Sequence, residues 1–364
     1  MFVQPEFWKG KKVFITGHTG FKGSWLTLWL KNMGAEVTGF ALPLSEDNHL
    51  FNSLGLKDDI THIENDVRDL ESLQTAVQKA QPDIALHLAA QPIVRESYTS
   101  PVETIEINTM GTAHFLEAVR HTPSIQAVLV VTSDKCYENK EWVWPYREND
   151  ALGGHDPYSA SKACAELLTA SYRNSFFAES TPVAVASARA GNVIGGGDFS
   201  ADRIVPDIIR AAQYGKNVEI RNPSSTRPWQ HVMECLSGYI CLAEKLCEDG
   251  EHAAQAWNFG PDPQSTKSVK DLTEVLLRHI DNVNAQYGTI KAGPHEAGLL
   301  TLDSSKAKAE LNWHPSLSFE ETIDWTAQWY KRVTLQGEDA RNVTTQQIND
   351  FMQKVASPQT FPKE

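Results

Sequence analysis

A short apolar run, a glycine-rich turn and an apolar helical run follow one another near the start of the chain. The run Lys12–Thr16 has the composition of a buried strand, and residues 24–30 have that of a helix packed on a sheet. Between them, Gly17 permits a tight turn, Gly20 lets the backbone approach a pyrophosphate, and Gly23 lets the helix pack closely. This order predicts a strand–turn–helix unit that binds a dinucleotide, with the pyrophosphate at the helix N-terminus.

Strands and helices continue to alternate through the first half of the chain. The predicted strands lie at 36–42, 60–64, 83–88, 126–132 and 182–188, and the predicted helices at 70–80, 102–120 and 157–177. Such alternation calls for a parallel sheet with helices on both faces. We therefore predict an α/β fold, with a Rossmann-type doubly wound parallel sheet and a smaller mixed α/β substrate-binding domain.

The regular alternation of predicted strands and helices ends after Ala190. Residues 191–198 read as a loop, and later segments mix short helices with Pro-rich turns. We predict a dinucleotide-binding domain at 1–190 to which 230–260 returns, a substrate-binding domain at 191–229 and 261–330, and a C-terminal helical tail at 331–364.

Composition and charge narrow the classes of function. The formal net charge of −13 over 364 residues argues against nucleic acid or an anionic membrane as a partner. No stretch approaches the ~20 apolar residues of a membrane span. Residues 1–6 lack the regions of a signal peptide, so we expect a cytoplasmic protein. Cysteine and histidine spacings predict neither a disulfide framework nor a metal site.

Tyr158 and Lys162 stand four residues apart and fall on one face of the predicted helix at 157–177. Asp156 and Pro157 before them suit an N-cap and a first helical turn. The ammonium is expected to lower the pKa of the phenol, so that Tyr158 accepts a proton from a sugar hydroxyl while a hydride leaves the same carbon. The glycine turn in the same chain favours this redox interpretation over an ordinary helix face.

Ser133, Asp134 and Lys135 end the predicted strand at 126–132. They place an acid and a potential amine base beside the Tyr/Lys pair, a combination that suggests a sugar dehydratase. An Asp–Lys pair at a strand end is by itself usually a solvated ion pair. Together with the turn and the Tyr/Lys pair, the catalytic interpretation is the better one.

Basic residues concentrate between residues 203 and 231, as an acidic protein that binds a diphosphate requires. Arg227 lies in a Pro/Ser/Trp loop, and its guanidinium suits two-point binding of phosphate oxygens. Arg203 begins the same basic stretch. Arg210 and Lys216 fit a solvated helix face better.

These motifs resemble the nucleotide-sugar 4,6-dehydratases, a branch of the extended short-chain dehydrogenase/reductase superfamily, over residues 8–330. The further motifs that carry the resemblance are Asp66-Val67, His87-Leu-Ala-Ala90, Asn108-Thr-Met-Gly111, Arg189-Ala-Gly-Asn192, Arg227-Pro-Trp229 and Leu311-Asn-Trp-His-Pro315. The resemblance implies NAD held by Gly17, Thr19, Gly20, Phe21, Lys22, Gly23, Asp66, Val67, Leu88, Ala89, Ala90, Tyr158 and Lys162. It implies catalysis by Ser133, Asp134, Lys135, Tyr158 and Lys162, and substrate contacts from Asn192, Arg203 and Arg227.

Two departures from the family pattern bear on substrate and cofactor. Relatives that act on dTDP-glucose or GDP-mannose usually have Glu as the base where this chain has Lys135 or nearby, whereas relatives that act on CDP-glucose have lysine. The resemblance therefore implies CDP-D-glucose as the substrate. At the end of the second strand, Ala41 stands where an acidic residue commonly binds the adenosine ribose. We expect looser NAD binding than in relatives, with NADP left open.

The implied reaction begins with oxidation at C4 of the sugar, because a C4 ketone acidifies the C5 proton. Lys135, if kept neutral, removes that proton while Asp134 protonates the departing C6 hydroxyl, and the hydride returns to C6. The product is CDP-4-keto-6-deoxy-D-glucose, a precursor of deoxysugars in bacterial surface polysaccharide such as O-antigen. The resemblance also implies a homodimer or homotetramer, with the helices at 102–120 and 157–177 as candidate interfaces.

Other interpretations of the sequence stay open. They are another nucleotide-sugar 4,6-dehydratase, a 4-epimerase or reductase on the same scaffold, and a non-catalytic dinucleotide-binding regulator. The Asp134-Lys135 pair speaks against the epimerase, and intact Tyr158, Lys162 and Ser133 speak against the regulator.

Overall fold

The computed structural model describes residues 3–44, 49–177, 183–288 and 298–356. The strands are β1 (Lys12–Thr16), β2 (Glu36–Ala41), β3 (Thr61–Glu64), β4 (Ile84–His87), β5 (Ala127–Val131), β6 (Ala184–Arg189), β7 (Val193–Ile194), β8 (Val218–Ile220), β9 (Thr226–Pro228), β10 (Gln230–His231), β11 (Ala256–Asn258), β12 (Thr266–Ser268) and β13 (Ala285–Tyr287). The α-helices are α1 (Pro5–Trp8), α2 (Phe21–Asn32), α3 (His49–Ser53), α4 (Leu70–Ala80), α5 (Val94–Thr99), α6 (Pro101–Ile105), α7 (Gly111–Arg120), α8 (Pro157–Phe176), α9 (Ile204–Gln213), α10 (Val232–Asp249), α11 (Val269–Leu276), α12 (Ser305–Glu310), α13 (Phe319–Tyr330) and α14 (Ala340–Ala356).

Within the described residues, seven parallel strands form one sheet in the order β11-β6-β5-β4-β1-β2-β3. Strands β4 and β5 are buried along their whole length, which explains why they read as continuous apolar runs rather than alternating ones. The strand order reverses beside β1, and ligands of such sheets bind at the carboxyl ends of the strands at this point. The predicted doubly wound fold class is confirmed.

Helices cover both faces of the sheet, and β1 divides its side chains between two cores. Val13 and Ile15 join the core that contains residues of α2 and α10, whereas Phe14 joins the core that contains residues of α4 and α7. This alternation follows from the two-residue period of a strand. Among the described residues, no helix combines the length and apolarity needed to cross a bilayer.

The predicted helix at 102–120 is divided in the structure. Between α6 and α7 lies a π-helical segment, Glu106–Met110. It carries Asn108, whose Nδ2 donates to the carbonyl of Gln91 at 3.1 Å and to Oγ of Ser161 at 2.9 Å. The widened turn thus presents a polar side chain to two neighbouring elements, a feature that apolar periodicity does not reveal. Pro182, the predicted start of the sixth strand, lies outside the described residues.

The second half of the chain contributes to two regions. Strands β7 and β10, β8 and β13, and β9 and β12 form short pairs in the part of the chain that the structure describes. Helix α10 and strand β11 return to the main sheet, and β11 pairs with β6. Helix α14 packs against α2 and α3, and residues 357–364 of the predicted tail lie outside the described residues. The predicted division into domains stays a prediction.

Candidate active site

A cavity of about 970 Å³ opens at the carboxyl ends of the sheet, where residues that follow β1 to β6 line it. It brings together all the residues to which the sequence assigned a role. Lining it on the cofactor side are Gly17, Thr19, Gly20, Phe21, Lys22, Gly23, Asp66, Val67, Leu88, Ala89 and Ala90. Further lining residues are Ser133, Asp134, Lys135, Tyr158, Lys162, Asn192, Arg203 and Arg227. Side chains distant in sequence therefore share one space, and their individual roles remain proposals.

The glycine turn after β1 is built so tightly that larger residues do not fit. Gly17 has φ +73°, and a Cβ on it would lie 2.6 Å from the backbone nitrogen of Ala89. A Cβ on Gly23 would lie 2.1 Å from the carbonyl oxygen of Gly17, so Gly23 lets α2 pack against the turn itself. Gly20 is the N-cap of α2. The free N–H groups of this helix start form a cradle that fits a pyrophosphate.

The end of β2 offers no carboxylate to a ribose. Ala41 and the neighbouring Leu42 line the cavity there. The carboxylate opposite Ala41 in the sheet, that of Glu64 on β3, is engaged by Nε2 of His62 at 3.1 Å. Nδ1 of His62 in turn contacts Nε2 of His18 at 2.7 Å, and burial lowers the pKa of His18 to about 3. Sequence reasoning missed this chain of contacts, because the glycine pattern of the turn assigns no role to His18.

Helix α8 holds the Tyr/Lys pair. Asp156 is its N-cap and accepts from the backbone nitrogen of Ser159 at 2.9 Å, and Pro157 opens the first turn, as predicted. Tyr158 and Lys162 are both buried, at the cavity wall. Nζ of Lys162 lies 3.5 Å from the carbonyl oxygen of Val131, the last residue of β5.

Ser133, Asp134 and Lys135 continue from β5 into a single helical turn at the cavity. Ser133 Oγ donates to Oδ1 of Asp134 at 2.9 Å and accepts from the backbone nitrogen of Lys135 at 3.2 Å. Asp134 is buried, and its Oδ2 has no hydrogen-bond partner among the described residues. A buried carboxylate oxygen without a partner is costly, and a bond to a ligand would satisfy it. Lys135 is half-buried.

The electrostatics of the Tyr/Lys pair differ from the expectation. Burial raises the pKa of Tyr158 to about 12, and the hydrogen bond to Ser133 offsets part of this rise. Burial lowers the pKa of Lys162 to about 8; Lys22 lowers it further and Glu166 opposes the shift. In the protein alone the phenol pKa therefore lies above its usual value and not below it as expected, because desolvation by burial is the largest effect.

Arg203 and Arg227 line the same cavity and are already engaged by protein groups. Nη1 of Arg203 lies 3.2 Å from Oδ2 of Asp198, and Nη1 of Arg227 donates to the carbonyl of Gly298 at 3.1 Å. Asn192 has φ +46°, and its carbonyl accepts from the backbone nitrogen of Gln230. These contacts fix the predicted substrate-binding residues in place.

A bridge that the sequence did not reveal crosses the cavity rim. Oδ1 of Asp202 lies 3.5 Å from Nη1 of Arg95 on α5 and 2.9 Å from Nη1 of Arg221, which follows β8. All three residues line the cavity. Arg221 stood in the predicted basic stretch, but nothing in the sequence pairs it with a residue of α5.

A buried ion pair lies behind the catalytic candidates. Nη2 of Arg189 on β6 and Oε2 of Glu166 on α8 are 2.8 Å apart, and both side chains are almost fully enclosed. Glu166 follows Lys162 by one helical turn, which is the one signal in the sequence that points to it. Sequence reasoning used Arg189 only as part of a loop motif and missed Glu166.

Comparisons with known proteins agree with this geometry. The family model described as GDP-mannose 4,6 dehydratase matches residues 14–326. A CDP-glucose 4,6-dehydratase of Salmonella typhimurium is 47% identical over 354 residues, covering 96% of this chain and 98% of its own length. A dTDP-glucose 4,6-dehydratase of Xanthomonas campestris pv. campestris is 25% identical, covering 87% of this chain and 92% of its own length.

Solved structures show the same fold. A UDP-glucose-4-epimerase from Stenotrophomonas maltophila with bound NAD superposes with a TM-score of 0.78 at 20% identity, covering 90% of this chain and 100% of its own. A dTDP-glucose 4,6-dehydratase from Bacillus anthracis in complex with NAD has a TM-score of 0.70 at 20% identity, covering 88% and 96%. At these identities the likeness concerns the fold alone. With the family match and the 47% identical relative, the chain belongs to the nucleotide-sugar 4,6-dehydratase family of extended short-chain dehydrogenases/reductases.

Proposed function

We propose that this protein converts CDP-D-glucose to CDP-4-keto-6-deoxy-D-glucose and water, with NAD as its cofactor. The observation that carries the proposal is the meeting of Ser133, Asp134 and Lys135 with Tyr158 and Lys162 on one cavity, opposite a glycine turn. The 47% identity to a CDP-glucose 4,6-dehydratase supports the CDP sugar as substrate.

The cofactor side of the cavity fits a dinucleotide. The Gly17–Gly23 turn excludes side chains and leaves N–H groups at the start of α2, where a pyrophosphate is stabilised. We assign NAD contacts to the predicted residues of this turn, to Asp66 and Val67, to residues 88–90, and to Tyr158 and Lys162. When bound, NAD supplies a hydride acceptor for C4 of the sugar and a hydride donor for C6.

Tyr158 acts in the redox steps as the acceptor of the proton of the C4 hydroxyl. Ser133 lies beside the same phenol and helps to hold it in place. Lys162, one helical turn away on the same cavity, supplies a positive charge that offsets part of the cost of burying the phenolate. Because both residues are buried, the proton and the charge stay out of bulk water during the step.

Asp134 and Lys135 carry out the elimination. The C4 ketone acidifies the C5–H bond, and Lys135 in its neutral form takes that proton. Asp134 in its acid form gives a proton to the C6 hydroxyl, so the C6–O bond breaks and water leaves as the C5–C6 double bond forms. We assign this proton transfer to Oδ2 of Asp134, which has no hydrogen-bond partner among the described residues. Reprotonation at C5 then completes the redox-neutral cycle.

Arg203, Arg227 and Asn192 are proposed to hold the nucleotide diphosphate and the sugar. Both arginines line the cavity, and guanidinium groups bind phosphate oxygens at two points. Their present bonds, to Asp198 and to backbone carbonyls, orient them before a substrate arrives.

The test is incubation of the purified protein with NAD and, separately, CDP-, dTDP-, UDP- and GDP-hexoses. A 4-keto-6-deoxy product from CDP-D-glucose alone supports the proposal. The same product from a sugar carried by another nucleotide would show that CDP-D-glucose is not the specific substrate. Formation of CDP-galactose indicates a 4-epimerase. NAD binding without turnover of any sugar indicates a regulator.

We also propose a cytoplasmic homodimer or homotetramer. Val102 on α6 and Leu167 on α8 are 67% and 57% exposed, and such large apolar side chains on adjacent helices suit a subunit contact. Sedimentation at several concentrations measures the assembly, and replacing Val102 and Leu167 by aspartate should yield monomers.

A further inference from the structure

Three successive turns of helix α8 contact three successive residues at the end of β5. Tyr158, Lys162 and Glu166 are spaced by four and share one face of the helix. Tyr158 lies beside Ser133, Lys162 donates to the carbonyl of Val131, and Glu166 accepts from Thr132. Two of these contacts belong to the proposed catalytic residues, and the third does not.

The Glu166 contact is the most strongly held of the three. Its Oε1 accepts from Oγ1 of Thr132 at 2.5 Å, and its Oε2 accepts from Oγ of Ser187 at 2.7 Å and from Nη2 of Arg189 at 2.8 Å. Arg189 in turn donates to the hydroxyl of Tyr137 at 2.7 Å. A buried, fully bonded carboxylate of this kind has one geometry, because any shift leaves charged groups unpaired.

We propose that Glu166 is a positioning residue that, through Thr132, fixes the register of α8 on β5. This inference rests on the proposed roles of Ser133, Tyr158 and Lys162. Ser133 directly follows Thr132, so a slip of the Thr132–Glu166 contact displaces Ser133 relative to Tyr158. Misplacement of about 1 Å in such an arrangement costs on the order of 100-fold in rate.

Two matched variants separate positioning from simple core stability. Thr132→Val and Ser187→Ala each remove one hydroxyl donor from the same carboxylate, but only Thr132 adjoins Ser133. Thr132→Val should lower kcat by about 10- to 100-fold with KM within about twofold, and Thr132→Ser should restore kcat. Ser187→Ala should keep kcat within about twofold. The proposal is overturned if Thr132→Val keeps wild-type kcat, or if Ser187→Ala loses as much activity.

If the wild type reduces NAD with CDP-D-glucose but releases no 4-keto-6-deoxy sugar, the proposed function fails. In that case the comparison of Thr132→Val with Ser187→Ala still tests the inference, with the rate of NAD reduction as the readout.

Discussion

The placement of Asp134 depends on the absence of a side chain at residue 191. A Cβ on Gly191 would lie 1.9 Å from Oδ2 of Asp134, the oxygen that has no partner among the described residues. The φ of Gly191 is outside the left-handed region, so its value to the fold is the space it leaves rather than its backbone freedom. Gly191 therefore lets the carboxylate lie flat against the loop that follows β6.

We expect Gly191→Ala to lower kcat about 100-fold, because the added methyl group would displace Asp134. General acid catalysis typically contributes a rate factor of about 10²–10⁴, which a displaced acid would lose. Asp134→Asn should show a loss of the same order, because both changes remove the proton donor from the C6 hydroxyl. Steady-state kinetics with CDP-D-glucose measure kcat, and a binding titration measures the affinity for NAD, which should stay within about twofold of the wild-type value. Near-normal kcat in Gly191→Ala would show that Asp134 is not the acid.

Lys135→Met should slow elimination more than cofactor binding, because the methionine side chain keeps the length but cannot accept the C5 proton. In deuterated water, incorporation of deuterium at C5 reports the base directly, and we expect it to fall at least about 100-fold. Lys140→Met is the control, since Lys140 lies on the following loop beside Glu138, with its side chain 52% exposed. Equal incorporation in wild type and Lys135→Met would remove Lys135 from the mechanism.

At the scale of elements, one carboxylate anchors the segment before α13. Glu234, on the first turn of α10, accepts from the backbone nitrogens of Ser316 at 2.8 Å and Leu317 at 2.6 Å. The carboxyl is buried, and burial raises its pKa from 4.5 to about 8. The part of the chain that contains Trp313 is thereby tied to the helix that returns to the main sheet.

This raised pKa gives the free energy of unfolding a pH dependence. Between about 4.5 and about 8 the folded chain retains a proton on Glu234 that the unfolded chain has lost, so stability falls as the pH rises through this window. Glu234→Gln keeps an acceptor oxygen and does not titrate, and each unit of pKa corresponds to ~1.4 kcal/mol.

The free energy of unfolding, measured with urea at several pH values in this window, should fall less steeply with pH in Glu234→Gln than in the wild type. The control Glu320→Gln, exposed on α13, should leave the slope as it is. Parallel wild-type and Glu234→Gln curves would contradict the assignment.

Local signals predicted the elements better than the contacts between them. The apolar run and glycines around β1 predicted Lys12–Thr16 to the residue, because turn, strand and helix chemistry lie within a few positions of one another. The π-helical segment at Asn108 was missed, since its stabilising partners, Gln91 and Ser161, come from other elements. The Glu166–Arg189 ion pair was missed for the same reason, since its two residues belong to different elements. The sequence alone does not show that both side chains are buried and therefore need a charged partner.

At the scale of the whole molecule, the cofactor side of the cavity combines residues that follow four strands of the sheet, β1 to β4. A ligand that binds only this folded arrangement stabilises the whole protein, by about 2.7 kcal/mol at 100 times its Kd. Thermal unfolding therefore reports cofactor affinity. Thermal unfolding can also measure how Ala41 affects cofactor affinity, since Ala41 stands where a ribose-binding carboxylate is common.

We expect Ala41→Asp to raise the affinity for NAD roughly tenfold, equivalent to ~1.4 kcal/mol, because an added carboxylate accepts from the ribose hydroxyls. The same change should weaken NADP, whose 2′-phosphate it repels. Tm measured with each cofactor should rise for NAD and fall for NADP relative to the parent, while Ala41→Asn, without the charge, should separate the two cofactors less. A variant whose Tm responds equally to both cofactors would argue against a ribose contact at this position.

The sheet ends on two short strands, β3 with four residues and β11 with three. Unpaired backbone at a sheet border is a template on which a foreign strand can add, and a long flat border invites fibrils. Here neither border offers more than a few free amide and carbonyl groups. A continuous, strongly apolar seven-stranded sheet can thus exist at high concentration without growing sideways into an aggregate.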